Sequence, residues 1–563
     1  MHDNRHNRNL YKDLMKTLVL DIETNLAHDT IWCCVTLHRE TQEIKVWKDK
    51  EGLNEYLRNA DTIVGHNLIA FDAPVLNRVW NTKIRAAQCA DTLLLSRLSD
   101  SSRDGGHSLD AWGKTLGFEK IEFSDYEGGL TEEMITYCIR DVELTSKVYD
   151  VLWQELDKNK ISDEAIQLEY DVQVILSEME RNGFKLDIPY AQTLLCEIKT
   201  EMASIEESLQ DIFPPIVTER VSEKTGKKLK DDVEVFNVGS RQQIAKRLIS
   251  KGWKPEKTTE KGQVIVDETT LETLDIPEAK PIARYLMLQK RASQLDSWLE
   301  KLGEDGRVHG KVIGFGAVTG RATHSSPNMA QVPATRATLG KEFRSCWTVE
   351  DGNVLVGVDL SGIELRCFAH YLDDKEYINE TVNGDVHARN QQAFGVESRD
   401  LAKTVLYATL YGASSAKIAK VIGCSQKDGA KIISNFCKAV PAYERLKAKV
   451  ERLAEKGRLP GLCGYQLTVR SAHSSLNTLL QSAGAIIAKQ WLVQIKKNLR
   501  AAKIPYKLVA WIHDEVQIET PAEYGDRVGK VVVHSAAEAG EILKFRCPVG
   551  AEYGVAENWA GSH

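Results

Sequence analysis

A chain of 563 residues is too long for one hydrophobic core and has the length to bury several. Its formal net charge of −7 excludes a general basic coating, so any nucleic-acid surface has to be a local groove. The eleven cysteines form no C-x-x-C pair, and no stretch has the length and apolarity of a membrane span or a secretory signal. A soluble, intracellular protein with reduced thiols and no zinc module is therefore expected.

In chain order, residues 1–16 come first, rich in Asn, His and Arg, and read as a disordered extension. Leu18-Val-Leu-Asp-Ile-Glu-Thr24 then reads as an apolar strand whose Asp21 and Glu23, two apart, point to one face. Like charges held that close need a cation. Gly65-His-Asn-Leu-Ile-Ala-Phe-Asp72 adds a third carboxylate, and Tyr137-Cys-Ile-Arg-Asp141 sets Tyr137 and Asp141 four apart on one helical face. Each fragment alone is more often a surface accident than a site. Asp91, in Cys89–Leu98, reads as a helix cap.

After about residue 155, Ala165–Arg181 and Tyr190–Ile212 carry apolar residues at helical spacing and read as helices. Phe213–Val235, with Pro214-Pro215, Gly226 and many charges, reads as a loop. Asn237–Leu248 reads as a helix capped by Ser240. Lys224 to Lys230, followed by Arg241, Lys246, Arg247 and Lys251, is the densest basic stretch, a pattern whose commoner meaning is a solvated charged surface.

The last third holds the most informative segments. Val356-Gly-Val-Asp-Leu-Ser-Gly-Ile-Glu-Leu-Arg366 and Leu508-Val-Ala-Trp-Ile-His-Asp-Glu-Val-Gln-Ile-Glu519 each end an apolar strand-like run on a carboxylate, Asp359 and Asp514. Two such acids brought together can hold a pair of Mg²⁺ ions and stabilise both oxygens of an in-line phosphoryl transfer. Glu515, next to Asp514, faces the other way on a strand and reads as a helper. Between them, Arg399, Lys403, Tyr407 and Tyr411 recur every fourth residue, which on a helix draws one slowly drifting stripe. Its cations lie toward the N-terminal end, where the dipole also favours an anion, so the stripe suits a nucleotide, triphosphate first and base afterward. The blander readings are solvated charges for Arg399 and Lys403, a core aromatic for Tyr407, a surface acid for Glu364 and a structural histidine for His387.

In order and spacing these three segments resemble motifs A, B and C of the family A (Pol I-like) DNA polymerases, in particular the compact replicative type of short-tailed phages. The likeness runs from about Leu18 to Trp559 and includes Glu180–Phe184, Phe236–Arg241, Thr319-Gly-Arg-Ala-Thr-His324 and Asn477–Ala485. The acids of the first unit likewise resemble the three Exo motifs of proofreading exonucleases. This resemblance implies an α/β multidomain protein: an RNase H-like 3′-5′ exonuclease domain in 17–155, then a right hand with thumb in 156–308, an arm whose helices Ala165–Arg181 and Tyr190–Ile212 grip duplex DNA, palm in 309–371 and 465–563, and fingers in 372–464.

For the first site it implies that Asp21, Glu23, Asp72 and Asp141 bind metal and that Tyr137 orients the attacking water. For the second, Asp359 and Asp514 hold the metals, Arg399 and Lys403 neutralise the incoming triphosphate, and Lys403 is the acid for pyrophosphate. Glu364 excludes a ribose 2′-OH, Tyr407 packs on the deoxyribose, Tyr411 lies near the templating base, and His387 touches phosphate. Arg321, Gln481, His513 and Asn477 are implied to contact the minor groove or primer end, where acceptors are nearly the same for every correct pair, so donors test geometry without reading sequence. Tyr at position 407 is further associated with easy acceptance of dideoxynucleotides.

The implied cofactor is Mg²⁺, two ions per active site, with Mn²⁺ as a substitute. The implied partners are primer-template DNA and dNTPs, with a helicase-primase and a single-strand binding protein left open. A monomer without membrane contact, working in the host cytoplasm if phage-encoded, and with no 5′ nuclease domain ahead of the exonuclease, is expected. One departure stands out. Phage relatives that use thioredoxin carry a long basic insertion at the thumb tip, and the short 213–235 segment offers little surface for such a clamp, so thioredoxin is not expected as a partner. A single-subunit RNA polymerase, a nuclease with a degenerate second half and a non-enzymatic DNA-binding protein are the rival classes. The proofreading acids, Glu364 and Glu515 speak against the first, intact Asp359, Lys403 and Asp514 against the second, and the acid clusters against the third.

Overall fold

The computed structural model describes residues 16–222, 224–469 and 471–562. The extension expected at 1–16 falls almost wholly outside them.

The first unit is built on a five-stranded sheet in the order Ile44–Trp47, Ile31–His38, Thr17–Thr24, Thr62–Gly65, Cys89–Asp91. The Thr17–Thr24 strand is antiparallel to Ile31–His38 and parallel to Thr62–Gly65. Its Leu18, Val19, Leu20 and Ile22 are all buried, the near-continuous apolar run that a strand covered on both faces requires. The 28-residue helix Glu132–Asn159, whose first turn is capped by the Thr131 side chain accepting from the Met134 N–H, packs across that sheet through Met134, Ile135, Cys138 and Val142. Helices on a mixed sheet with a central acid-bearing strand are the α/β arrangement expected for this region.

The helix Asp163–Asn182 buries Ala165, Ile166, Leu168, Tyr170, Val172, Ile175, Leu176 and Met179, more than one face of a surface helix supplies. It packs against the Thr92–Ser99 helix of the first unit, the helix Ser475–Ala501 and the strand Lys507–Ile512. The expected placement of this helix on a DNA-gripping arm is therefore corrected: its side chains are committed to the junction between the two halves of the molecule. Ile188–Ile212 and Ala279–Glu300 do pair with each other. One end of the pair rests on a core of Phe184, Trp298, Phe343, Trp347 and Trp559, and the other on a separate small core around Phe213, Phe236, Leu248, Trp253 and Leu271.

The Phe213–Val235 loop is also corrected. Ile216–Thr218 and Asp232–Glu234 pair antiparallel, and a further bridge joins Val221 to Lys228, making a small hairpin. The β-branched Ile216, Val217 and Val233 favour a pleated pairing despite the surrounding charge. Arg247, counted with the basic surface, is buried with its guanidinium 5.6 Å from the Phe236 ring centroid, while Lys246 pairs with Glu234 and Lys251 with Glu278. Ser240 caps the helix Arg241–Ser250 by accepting from the Gln243 N–H, as expected.

The second sheet is four antiparallel strands in the order Lys507–Ile512, Glu515–Pro521, Asn353–Leu360, Ala551–Ala556. Helices Ser475–Ala501 and Gly525–Ile542 pack on each other, the latter also against the sheet, with Trp491 fully buried and donating to the Val532 carbonyl. Seven helices from Ile363–Leu372 to Pro441–Ala454 form the remaining lobe, centred on Phe368, Phe394, Phe436 and Tyr443, with the Phe394 and Phe436 rings stacked at 4.3 Å.

Candidate active sites

The second sheet brings two of the predicted acids together. Ile512 pairs with Glu515, so His513 and Asp514 form a two-residue hairpin turn, with His513 at φ 58°. Asp359 lies opposite Glu515 in the neighbouring strand, and the Leu360 N–H donates to the Asp514 carbonyl at 3.0 Å. Residues 155 apart in sequence thus share one sheet edge. Burial holds the Asp514 carboxyl above its usual range, while its backbone, His513 and Arg321 pull the other way.

Glu515 points into the core. It accepts from Gln517 Nε2 at 2.8 Å and from Trp559 Nε1, and Arg344 Nη1 lies at 3.5 Å. Arg344 also donates to the Pro333 carbonyl and stacks over the Trp559 ring at 4.5 Å. So engaged, Glu515 fixes the strand next to the turn.

The helix Arg399–Leu410 is capped by Ser398, whose hydroxyl accepts from the Leu401 N–H at 3.2 Å. Ala402, Val405, Leu406, Thr409 and Leu410 bury one face, which leaves Arg399, Lys403 and Tyr407 on the other. Arg399 pairs with Asp385 at 2.9 Å. His387, in the first turn of the neighbouring helix Val386–Phe394, has its Nδ1 buried with no partner among the described residues, and burial, Arg399 and Lys403 hold the ring below its usual pKa. Tyr411 is the C-cap, so the helical stripe ends at Tyr407 and the fourth member is carried by the turn. There its hydroxyl donates to Glu364 Oε2 at 2.5 Å while Arg321 Nη2 donates to Oε1 at 2.8 Å, and Glu364 is clamped from both sides. Burial, with the charges of Glu364 and Asp514, raises the pKa of the Tyr407 phenol.

Asn477 and Gln481 sit one turn apart near the start of the helix Ser475–Ala501, and Asn477 Oδ1 is buried without a partner. His324, buried with both ring nitrogens unpartnered, faces His513 and was not singled out from the sequence. Its only signal was its position at the end of the Thr319–His324 stretch.

The first sheet gathers the other acid set. Asp21 and Glu23 on the central strand, Asp72 at the first turn of the helix Asp72–Val79, and Asp141 with Tyr137 on the helix Glu132–Asn159 converge, and all but Asp21 and Tyr137 are buried. Oxygens of Asp21 and Glu23 and the sulfur of Cys138 lie within 4.8 Å of one another, and the Cys138 thiol donates to Asp21 Oδ2 at 3.4 Å. Burial and Asp141 push Asp21 up to about 7, burial and Asp21 push Glu23 up to about 10, and burial and Asp21 raise Asp72 well above the carboxylate range. Asp141 Oδ1 is buried with no hydrogen-bond partner among the described residues. Crowded, desolvated carboxylates with an unpaired oxygen are a donor set that fits divalent metal.

Asp91 is the expected cap, accepting from the Leu93 and Leu94 N–H groups. It also accepts from Asn67 and Ile69, which fixes the segment leading to Asp72. Beside the acids a cleft of about 1120 Å³ is lined by His66, Asn67, Arg97, His107, Lys120 and Phe123. Phe123 stacks on Tyr137 at 5.5 Å.

The description "DNA polymerase family A" matches residues 217–561, and "3′-5′ exonuclease" matches residues 6–157. The chain is 30% identical to the DNA-directed DNA polymerase of Escherichia phage T7, over 97% of this chain and 100% of that one, and 31% identical to that of Enterobacteria phage T3, over 91% and 94%. It is 27% identical to DNA polymerase I of Aquifex aeolicus, over 91% and 90%. Among solved structures, the POL domain of Pol1 from M. smegmatis, in complex with DNA primer-template and dNTP, shares the fold with a TM-score of 0.80 at 18% identity, covering 100% of this chain and 99% of that one.

Proposed function

The chain belongs to DNA polymerase family A, as a DNA-directed DNA polymerase with a 3′-5′ exonuclease domain, and on that premise we propose that it extends primers in replication through Asp359 and Asp514 and proofreads through Asp21, Glu23, Asp72 and Asp141. The observation that carries this reading is the hairpin turn that sets Asp514 beside Asp359 at one sheet edge, together with the helix Arg399–Leu410, whose unburied face carries Arg399, Lys403 and Tyr407. Asp359 and Asp514 would hold a pair of Mg²⁺ ions, which would supply charge to stabilise the attacking and leaving oxygens.

The chain's own residues do the rest. Arg399 and Lys403 take the triphosphate, and Lys403 gives a proton to the departing pyrophosphate. Tyr407 lies against the deoxyribose and Tyr411 toward the templating base. Glu364, held rigid by Arg321 and Tyr411, occupies the space a 2′-OH would need. His387 adds a phosphate contact, while Arg321, Gln481, His513 and Asn477 offer donors to the minor groove. Glu515, locked by Trp559, Gln517 and Arg344, keeps the Asp514 turn in place.

In the proofreading site Tyr137 orients the attacking water. The right hand then has its thumb between 156 and 308, with the arm proper starting at Ile188, its palm in 309–371 and 465–563, and its fingers in 372–464. Primer-template DNA and dNTPs are the partners, the host cytoplasm is the place of action, and thioredoxin is not required. Primer extension on a long primed template tests this reading. Asp514→Ala and Asp359→Ala should abolish extension with primer-template binding retained, because binding rests on phosphate contacts. Asp21→Ala with Glu23→Ala should abolish degradation of single-stranded 3′ ends with extension retained. Near wild-type extension by either palm variant would refute the metal assignment.

A further inference from the structure

Lys120 lies between the helices Leu109–Leu116 and Glu132–Asn159, in a segment that folds back over the proofreading acids. Its ammonium is 2.5 Å from Asp141 Oδ2 and 4.8 Å from the centroid of the Tyr137 ring. It is only 23% exposed and Asp141 only 5%, so this is no solvated surface pair. The other carboxylate oxygen of Asp141 is buried with no hydrogen-bond partner among the described residues, and the same lysine lines the cleft beside the acids together with Arg97, His66 and His107. A compact ammonium with three donors thus occupies an oxygen of a proposed metal ligand and borders the space open to a DNA 3′ end.

We propose that Lys120 is a placeholder cation of the proofreading site. In the free protein it neutralises Asp141, and when a divalent ion takes Asp141 the ammonium passes to a phosphodiester of the single strand in the cleft. This rests on the assignment of Asp141 as a metal ligand. A metal ion must displace the ammonium to reach Asp141 Oδ2, and a DNA phosphate that captures the ammonium removes that competition. Metal and single-stranded DNA therefore raise each other's affinity, because coupling between two ligands is reciprocal. The proofreading site stays poorly metallated until a frayed 3′ end arrives.

The test uses the full chain with Asp359→Asn and Asp514→Asn, so that Mn²⁺ titration calorimetry reports the proofreading site. Lys120→Gln should bind Mn²⁺ roughly tenfold more tightly than the parent without DNA, the factor carried by one ion pair of modest strength. It should also lose most of the gain in Mn²⁺ affinity that a single-stranded oligonucleotide with a non-hydrolysable 3′ linkage produces in the parent. Degradation of single-stranded DNA by Lys120→Gln should reach half-saturation at lower Mn²⁺ but plateau at least tenfold lower. Lys120→Arg, which keeps the charge, should retain the parent's Mn²⁺ affinity, and a thermal melt checks that both variants fold. Unchanged or weaker Mn²⁺ binding by Lys120→Gln, or an undiminished DNA-induced gain, overturns the proposal. Asp141→Asn separates the two levels: if it binds Mn²⁺ as the parent does, the ligand assignment itself fails, and the placeholder falls with it.

Discussion

Replacing Lys489 by Met should destabilise the polymerase half by about 3–5 kcal/mol, the cost of leaving one member of a buried ion pair unpaired. Lys489, on the helix Ser475–Ala501, is fully buried with its ammonium 2.5 Å from Glu169 Oε1. The Tyr465 hydroxyl donates to the same oxygen at 2.6 Å, and the ammonium lies 4.6 Å from the Phe315 ring centroid. Glu169 is 2% exposed, so neither charge has water to fall back on. With methionine in place, Glu169 keeps one neutral donor and no counter-charge. Glu169→Gln in the same chain removes the orphaned charge and preserves an acceptor for Tyr465, so the double variant should return to within about 1 kcal/mol of the parent.

Hydrogen exchange at the amides of Ser475–Ala501 is the suitable measurement, since it resolves this helix from the other domains. The single variant should open about a hundredfold or more as often, and the double variant should restore most of the protection. A single variant within about 1 kcal/mol of the parent, or a double variant no better than the single, would refute the reasoning. Primer extension should follow the same order when assayed warm, because Phe315, stacked parallel to Tyr465, begins the turn that carries Arg321.

Three further outcomes are expected. Tyr407→Phe should raise discrimination against dideoxynucleotides, since the phenol, which feels the charges of Glu364 and Asp514, can stand in for a missing 3′-OH contact, and an unchanged ratio of ddNTP to dNTP use would mean the helix register is misread. His370 is buried, accepts the Arg546 N–H at 3.0 Å and is held down to about 4 by burial and Arg546, so the unfolded chain binds the extra proton between pH 6.5 and 4. Its contribution is complete above pH 6.5 and falls by up to about 3 kcal/mol as pH drops through that window, and His370→Gln should flatten that part of a urea stability profile. Titrating thioredoxin under a DNA trap should leave product length per binding event unchanged, and deleting 219–232 should shorten products modestly and lower the salt dependence of DNA binding; a large thioredoxin-dependent gain abolished by that deletion would overturn this.

The carboxylates of the two candidate sites were legible because their signals are local. Strand alternation put Asp21 and Glu23 on one face, helical spacing joined Tyr137 to Asp141, and an apolar run ended on each palm aspartate. Caps were legible for the same reason, as Ser240 and Asp91 show. Lys120 and Cys138 were not. Cys138 sits between two singled-out residues and passes for a core position, while Lys120 reaches Asp141 only because the connection 117–131 between two helices closes over the site. Arg344 and Trp559 meet Glu515 from 171 and 44 residues away, a distance that no spacing rule bridges.

The helix Asp163–Asn182 was misplaced for a different reason. Helical period identifies an amphipathic segment but not which neighbours cover it, and polar residues within the stripe suggest solvent. Here two of those polar groups are the contacts. Glu169 turns its carboxylate toward Lys489 and Tyr465 in the polymerase half, and the next residue, Tyr170, accepts the Asp91 N–H in the exonuclease half through its hydroxyl. Consecutive helix residues point about 100° apart, so such a pair can face two different bodies at once. A helix with satisfied polar side chains on divergent faces is a junction, and its buried charge can be retained at a stability cost because the partners on both sides are fixed by it.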